Sequence, residues 1–377
     1  MLPQGGGTEV IMNETGGINQ KQLTLAVANF LAVKMIFAFP RYLFGTSGNA
    51  AWIQALYMTA VAFGLLEASL FLYRFTGKKS IIQLSESIGG IPLKIIVSLI
   101  VAAIFTASLG TEARVFAESV KLVLLPKSKI EYVMLLFGLT VAIGSLSGFF
   151  ALSTVNAIFF PFCLFFLGIM SVALIRNCDI NNIFPIFGTG IKRIFVNGLS
   201  DMSCFSDILA LNILVPYCSD IQMVKKGGRR AIAIAGSVIT LLCLIYGLIY
   251  PYPYTSEFLL TTYQLSRMVR AGEYFQRFEA LFEFVWSITQ LLYSSMYVYL
   301  ICDVLGSAFK LRDAKATIPC IIAIVCFTAA MPQSVAELLE TSRKIKQFIF
   351  PAAYLLPIVI PVIYIIVRRR HGEKQNS

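Results

Sequence analysis

QLTLAVANFLAVKMIFAFPRYLF, residues 22–44, decides the fold. A bilayer core about 30 Å thick needs about 20 apolar residues per helical span, and this stretch is long enough, yet it carries Lys34 in its middle and Pro40-Arg41 near its end. A continuous lipid-facing helix suits neither. A second stretch of the same kind, GLSDMSCFSDILALNILVPYC at 198–218, holds Asp201 and Asp207, then a short apolar run from Ile208 to Val215 that Pro216 terminates. Around these two, hydropathy predicts eight further spans, at about 50–75, 94–125, 130–150, 155–176, 231–250, 277–304, 315–331 and 347–367. The chain therefore reads as an all-α polytopic membrane protein of about ten transmembrane helices, in which the interrupted segments are the first of each set of five. Such matched interruptions point to two inverted repeats with a site near the bilayer midplane, where broken helices expose backbone groups. The alternative is that Pro40 and Pro216 only kink helices near their ends, since proline is frequent in membrane helices.

Composition agrees with the spans. The 377 residues are 57% hydrophobic and 14% charged, with a mean hydropathy of +0.77, whereas soluble chains are about a quarter charged. No sizeable soluble domain fits beside ten spans. Residues 1–20 form a polar, Gly-rich arm without the basic start and short apolar core of a secretory signal, so the first span is expected to stay in the mature chain. Residues 21–367 are expected to form one transmembrane domain, with repeats at about 22–176 and 198–367, and 368–377 a basic tail. The single histidine, His371, lies in that tail, which removes Ser-His-Asp and Cys-His catalysis and histidine-ligated metal. The eight cysteines fall mostly in apolar segments without a CxxC pair, and no GxxxxGK[ST] sequence is present. No enzyme activity, cofactor or metal is expected. The net charge of +11 sits in short loops, where it sets topology rather than binding nucleic acid. With both termini cytoplasmic, the inner loops gather Arg74, Lys78 and Lys79, then Lys225, Lys226, Arg229 and Arg230, then Lys310, Arg312 and Lys315, and the tail arginines Arg368 to Arg370.

The intramembrane charges are the first functional candidates. Lys34 lies about 18 Å into its span and Asp207 about 15 Å into the sixth from the opposite side, at 1.5 Å per residue. These depths are similar, so the two are expected to face each other, either as part of a ligand site or as a structural pair locking the two helices. Glu67, in the second span, has no obvious local cation; it could hold Lys34 in place of Asp207, or carry a proton. In the eighth span Glu279, Glu283, Ser287, Gln290 and Ser294 recur at spacings of three and four, with Tyr297 extending the face. A polar stripe through a membrane helix must look at protein or water, so it lines a cavity or, for the serines, glues helices together. Glu279 and Glu283 also suit solvated pairing with Arg277. In the third span Glu112, Arg114, Glu118 and Lys121 have helical pair spacings and read as a charge network or a gate.

Gly17-Ile18-Asn19-Gln20-Lys21-Gln22, Phe39-Pro40-Arg41, Ala51-Trp52-Ile53 and above all the stretch from Phe275-Gln276-Arg277-Phe278-Glu279 through Glu283 to Trp286 resemble the B subunits of endospore germinant receptors, the GerAB type. The resemblance runs from about residue 15 to 367. That family is a branch of the amino acid, polyamine and organocation transporters, so the resemblance implies a LeuT-like fold with a 5+5 inverted repeat and interrupted helices 1 and 6. It further implies nutrient sensing in the inner membrane of dormant spores, together with an A and a lipoprotein C subunit. A small germinant, an amino acid or other nutrient, would bind between helices one, three, six and eight. On that reading the ligand-facing candidates are Lys34, Met35, Ala38, Ser206, Asp207, Ser287, Gln290 and Ser294. Coupling or gating falls to Glu67, Glu112, Arg114, Glu118 and Glu283, with helix breaks at Pro40 and Pro216. Relatives often carry a small or Gly-rich stretch before the Pro-Arg, which frees backbone groups for an amino-acid carboxylate. Here Val33-Lys34-Met35-Ile36-Phe37 is bulky and cationic, so Lys34 stands in for a bound cation or for helix-end amides. An ion-coupled permease for amino acids or other small solutes is the competing reading.

Overall fold

The computed structural model describes residues 17–36, 38–258, 260–269 and 277–375. Phe37, Phe275, Gln276 and the first sixteen residues of the polar arm lie outside them. Apolar composition makes the chain helical throughout, because in lipid a helix satisfies its own backbone groups. Among the described residues seven helical segments are long and apolar enough to cross a membrane, two shorter apolar helices join them, and Gln20–Ile36 makes the tenth. The first crossing is split into α1 (Gln20–Ile36) and α2 (Phe39–Ser47). Next come α3 (Ala51–Tyr73), α4 (Ile81–Val123), α5 (Ile130–Leu146) and α6 (Gly148–Ala173). A short surface helix, α7 (Ile191–Phe195), leads into the sixth crossing, a 3₁₀ run over Asn197–Ile208 continued by α8 (Leu209–Leu214). The remaining helices are α9 (Ile221–Ile249), a loop helix α10 (Thr261–Met268), α11 (Phe278–Phe309), α12 (Ile318–Ala330) and α13 (Val335–Gln375).

The packing has the symmetry that ten crossings in two sets of five require. The third crossing packs on the eighth and the second on the seventh. The fourth and fifth pack on the eighth, just as the ninth and tenth pack on the third; the first packs on the fifth as the sixth packs on the tenth. Exchanging each helix with the one five places later maps these contacts onto themselves. Because five is odd, the second set enters from the opposite face, which makes the repeat inverted. This is a polytopic membrane transporter-like fold.

The boundaries differ from the sequence reading for local reasons. Helix α4 starts at Ile81, well before the apolar stretch, behind a Ser80–Gln83 capping box and a kink at Gly89–Gly90. Helix α9 starts at Ile221, where the Asp220 carboxylate accepts the Met223 N–H at 2.6 Å, so its polar Lys225 to Arg230 turn projects beyond the apolar part. It lies close on α3: a Cβ on Gly236 would come within 2.3 Å of the Thr59 side chain. The two prolines do not divide helices. Pro40 sits in the first turn of α2, and Pro216 in the first turn of the 3₁₀ segment Val215–Tyr217. At Pro40 the missing N–H is one that a helix start leaves orphaned anyway, so it begins the segment after the interruption; Pro216 follows directly on α8, which ends at Leu214, and removes a donor that would have continued it.

The loop between the fifth and sixth crossings is pinned to the end of α2. Thr189 N–H donates to the Ser47 carbonyl at 3.2 Å, and the Thr189 hydroxyl to the Thr46 carbonyl at 2.8 Å. Gly188 turns the chain there with φ +46°, and a Cβ on it would lie 2.0 Å from the Ser47 carbonyl oxygen. Gly188→Ala is therefore expected to destabilise the protein by about 2–4 kcal/mol, through backbone overlap and left-handed strain. Thermal unfolding in nanodiscs measures it, and an unchanged midpoint refutes the close approach.

Candidate functional site

Where α1 ends at Ile36, its last carbonyls lose their intrahelical donors. Two side chains supply replacements: Trp286 Nε1 donates to the Val33 carbonyl at 3.1 Å, and the Thr262 hydroxyl donates to the Ile36 carbonyl. The eighth crossing is thereby tied to the interruption of the first. Lys34 lies in that last turn, where the helix dipole favours a cation. Its Nζ is 2.7 Å from Asp207 Oδ2, with both side chains 2% exposed. Of the two carboxylates open to Lys34 in the sequence, Asp207 is its partner. Glu67 is held instead by Arg229, at 2.5 and 2.8 Å, with Lys225 at 3.8 Å. It belongs to a half-exposed charge cluster joining α3 to α9, away from the Lys34 pair.

The sixth crossing reaches this point as a 3₁₀ helix. Runs beyond three or four residues are uncommon and mark hinges or strain; this one spans twelve. At three residues per turn it places Asp201, Cys204 and Asp207 on one face, with the carboxylates about 12 Å apart at 2.0 Å per residue. Asp201 Oδ2 accepts from Thr46 Oγ1 at 2.9 Å and Gln54 Nε2 at 2.8 Å, and Gln54 Oε1 accepts from the Ser47 hydroxyl. Ser206 is buried beside Asp207, and Met35 and Ala38 are buried around the interruption. An aromatic wall stands nearby: Tyr297 lies 4.6 Å from Tyr293, 5.1 Å from Phe30 and 4.7 Å from Phe105, ring centre to ring centre. Tyr293 and Tyr297 sit close enough to Asp207 to feel its charge, and Tyr293 also feels Glu112.

The stripe on α11 is buried from Glu283 onward, while Glu279 at its start is partly exposed. Glu283 and Gln290 are wholly inaccessible and Ser287 nearly so. The Ser287 hydroxyl and both amide atoms of Gln290 have no hydrogen-bond partner among the described residues, and the Glu283 carboxylate has only the Ser119 hydroxyl beside it, which donates to the Phe116 carbonyl. Buried polar atoms are paired nine times in ten or more, so a run of orphans on one helix face is a candidate ligand surface. Ser294 does not belong to it in the same way, because its hydroxyl donates to the Gln290 carbonyl at 2.8 Å. Glu279 lies 3.6 Å from Arg277. Arg114 pairs with Glu118 at 3.0 Å and reaches the Ala329 carbonyl at 3.4 Å, tying α4 to the end of α12.

One polar centre escaped the sequence reading. Asn29 Nδ2 donates to Asn156 Oδ1 at 2.6 Å and to the Thr289 carbonyl at 3.1 Å, linking the first, fifth and eighth crossings in full burial. An amide in the middle of an apolar span was the available signal. Among the described residues no group of three or more His, Cys, Asp or Glu side chains comes together as a metal site.

A helical membrane fold with a broken first crossing, a 3₁₀ sixth crossing and a buried charge pair where the two meet defines a transporter-like membrane protein. Residues 17–337 match the family described as Spore germination protein, and the chain belongs to that family. Similar relatives are spore germination protein B2 of Bacillus subtilis (strain 168), 24% identical over 277 residues and covering 71% of this chain and 73% of that one; spore germination protein GerLB of Bacillus cereus, 23% identical with 80% and 81% covered; and spore germination protein A2 of B. subtilis (strain 168), 24% identical with 73% and 75% covered. Among solved structures, the Eremococcus coleocola manganese transporter in complex with an aromatic bis-isothiourea compound aligns with a TM-score of 0.48 and 13% identity, over 96% of this chain and 80% of that one. A mutant of the same transporter aligns at 0.44 and 13% identity.

Proposed function

We propose that the chain is the B-type subunit of a spore germinant receptor, binding a small nutrient where the interrupted first crossing meets the eighth and signalling germination through A- and C-type partner subunits. The observation that carries this reading is the buried row Glu283, Ser287 and Gln290 on α11, with Ser287 and Gln290 unpartnered among the described residues, tied by Trp286 to the carbonyl next to Lys34. Ligand filling that row would satisfy its polar atoms and bias the hinge that the 3₁₀ crossing provides. The protein then sits in the inner spore membrane with both termini cytoplasmic, as one membrane domain of two repeats, at about 22–176 and 198–367, between a polar arm and a basic tail.

A second reading, an ion-coupled permease, is favoured by one feature: Glu283, a fully buried carboxyl in no ion pair among the described residues, suits a group that takes up and releases a proton. Turnover separates the two. Uptake of labelled amino acids, purine nucleosides and sugars into proteoliposomes is measured with and without an inward proton gradient, beside ligand-induced thermal shift. The sensor reading expects a saturable thermal shift without uptake. Saturable uptake driven by the gradient makes the chain a permease, and neither response with any of the panel refutes a small-nutrient site.

A further inference from the structure

On the face opposite the chain ends, the end of α2, the start of the sixth crossing and the first turns of α13 surround a cleft of about 550 Å³. That volume is typical of small-molecule sites. Thr46, Arg193, Asn197, Ser200 and Arg343 line it, and none of its lining residues is acidic. Among the described residues neither arginine forms an ion pair. Asp201, buried behind Thr46, is close enough to feel the charge of Arg343 but already accepts from Thr46 and Gln54, and Glu340, one turn before Arg343 on α13, is paired with Lys344 at 2.7 Å. With two arginines and no acidic side chain in its lining, the cleft is net positive. Two guanidinium groups and the Asn197 amide are the donor set that recognises a planar or tetrahedral oxyanion; the Thr46 and Ser200 hydroxyls already donate to Asp201 and to the Asn197 carbonyl.

Adjoining the cleft through Ser200 and Arg343, a second space of only about 10 Å³, the neck, is lined by Phe39, Tyr42, Asp201, Ser203 and Gln347. That is room for one water at most. The Tyr42 hydroxyl donates to the Leu339 carbonyl at 3.3 Å and holds its ring across the neck. A molecule in the cleft is thus separated from Lys34 and Asp207. We propose that the cleft is a distinct anion site, in which Arg193 and Arg343 hold the carboxylate or phosphate of a small soluble molecule on the face opposite the termini. The neck keeps that molecule out of the midplane until Tyr42 and Phe39 move. The cleft does not depend on the midplane reading, and it selects for charge before any contact with the α11 stripe.

The test uses the full chain in phosphatidylcholine nanodiscs, with succinate and inorganic phosphate as probes, chloride holding ionic strength constant and succinamide as the neutral control. A saturable rise in unfolding midpoint is expected with succinate or phosphate and none with succinamide. Arg193→Gln and Arg343→Gln are each expected to weaken the apparent affinity about tenfold or more, the effect of losing a charge-assisted contact. Lys129→Gln, on the same face outside the cleft, leaves the response unchanged if local geometry rather than general charge attracts the anion. If Arg343→Gln fails to fold because Asp201 loses its neighbour, the exposed Arg193 decides alone. The proposal is overturned by no anion response at matched ionic strength, by a response indifferent to both arginine substitutions, or by an equal loss in Lys129→Gln. It is also overturned if Gln290→Leu abolishes the response, which moves the anion to the midplane. Nanodiscs containing phosphatidylglycerol form the last arm: loss of the succinate response there assigns the cleft to lipid headgroups instead.

Discussion

Asp207→Asn is expected to lower stability by about 3–5 kcal/mol, because it leaves the Lys34 ammonium buried without its counter-ion. The 2.7 Å pair is 2% exposed on both sides, so water cannot take the place of the carboxylate. Lys34→Met is expected to cost a similar amount by stranding the carboxylate. The double replacement Lys34→Met with Asp207→Leu, in contrast, is expected to fold at least as well as the natural chain, since apolar substitution of a whole buried pair is often neutral or stabilising. This separates structure from function. A fully folded double variant without ligand-induced thermal shift places the pair in the binding site, whereas a retained shift makes it a lock between the first and sixth crossings. Charge reversal adds an independent readout. Lys34→Asp with Asp207→Lys keeps the attraction but sets an anion at the C-terminus of α1, against the helix dipole, at a cost of about 0.3–1 kcal/mol. A structural lock recovers ligand response in that variant; a ligand contact does not. Near-natural stability of Asp207→Asn alone would remove the pair from either role.

The interruptions were legible because charge is scarce in this chain: a lysine and an aspartate inside apolar runs stand out, and their similar depth predicts that they meet. What decides between Asp207 and Glu67 is not local. Arg229 lies 162 residues from Glu67, and only the packing of α9 on α3 brings them together, so Glu67 reads as an orphan in the sequence although it has two cations. The 3₁₀ course of 197–208 was hidden for a related reason. It depends on close neighbours such as Gln54, whose side chain would lie 2.9 Å from a Cβ on Gly198, and helical propensity carries no trace of that contact. The stripe on α11 was readable as a face but not as a set of unpaired groups. Ser294 shares the spacing of Ser287 and Gln290, yet it bonds back to its own helix, a choice that serine makes at short range.

Gln290→Leu is expected to stabilise the ligand-free protein while abolishing its ligand response, and the opposing signs are the point of the experiment. Both amide atoms of Gln290 are buried and unpartnered among the described residues. Keeping such an amide in an apolar setting costs about 1–3 kcal/mol on mutational scales. Leucine is close in size and has no polar atom, so the unliganded unfolding midpoint should rise by the corresponding few degrees. Binding energy that depends on filling the amide's hydrogen bonds disappears at the same time, as expected where stability has been given up for function. Glu283 and Trp286 stay in place in this variant, so the Val33 carbonyl keeps its donor and the first crossing its attachment to the eighth. If stability instead falls by about 1 kcal/mol or more, seen as a lower midpoint, Gln290 contributes packing or bonding to the resting fold. The stripe is then glue between helices, and the search for the nutrient contact moves along the interruption to Lys34, Met35 and Ala38.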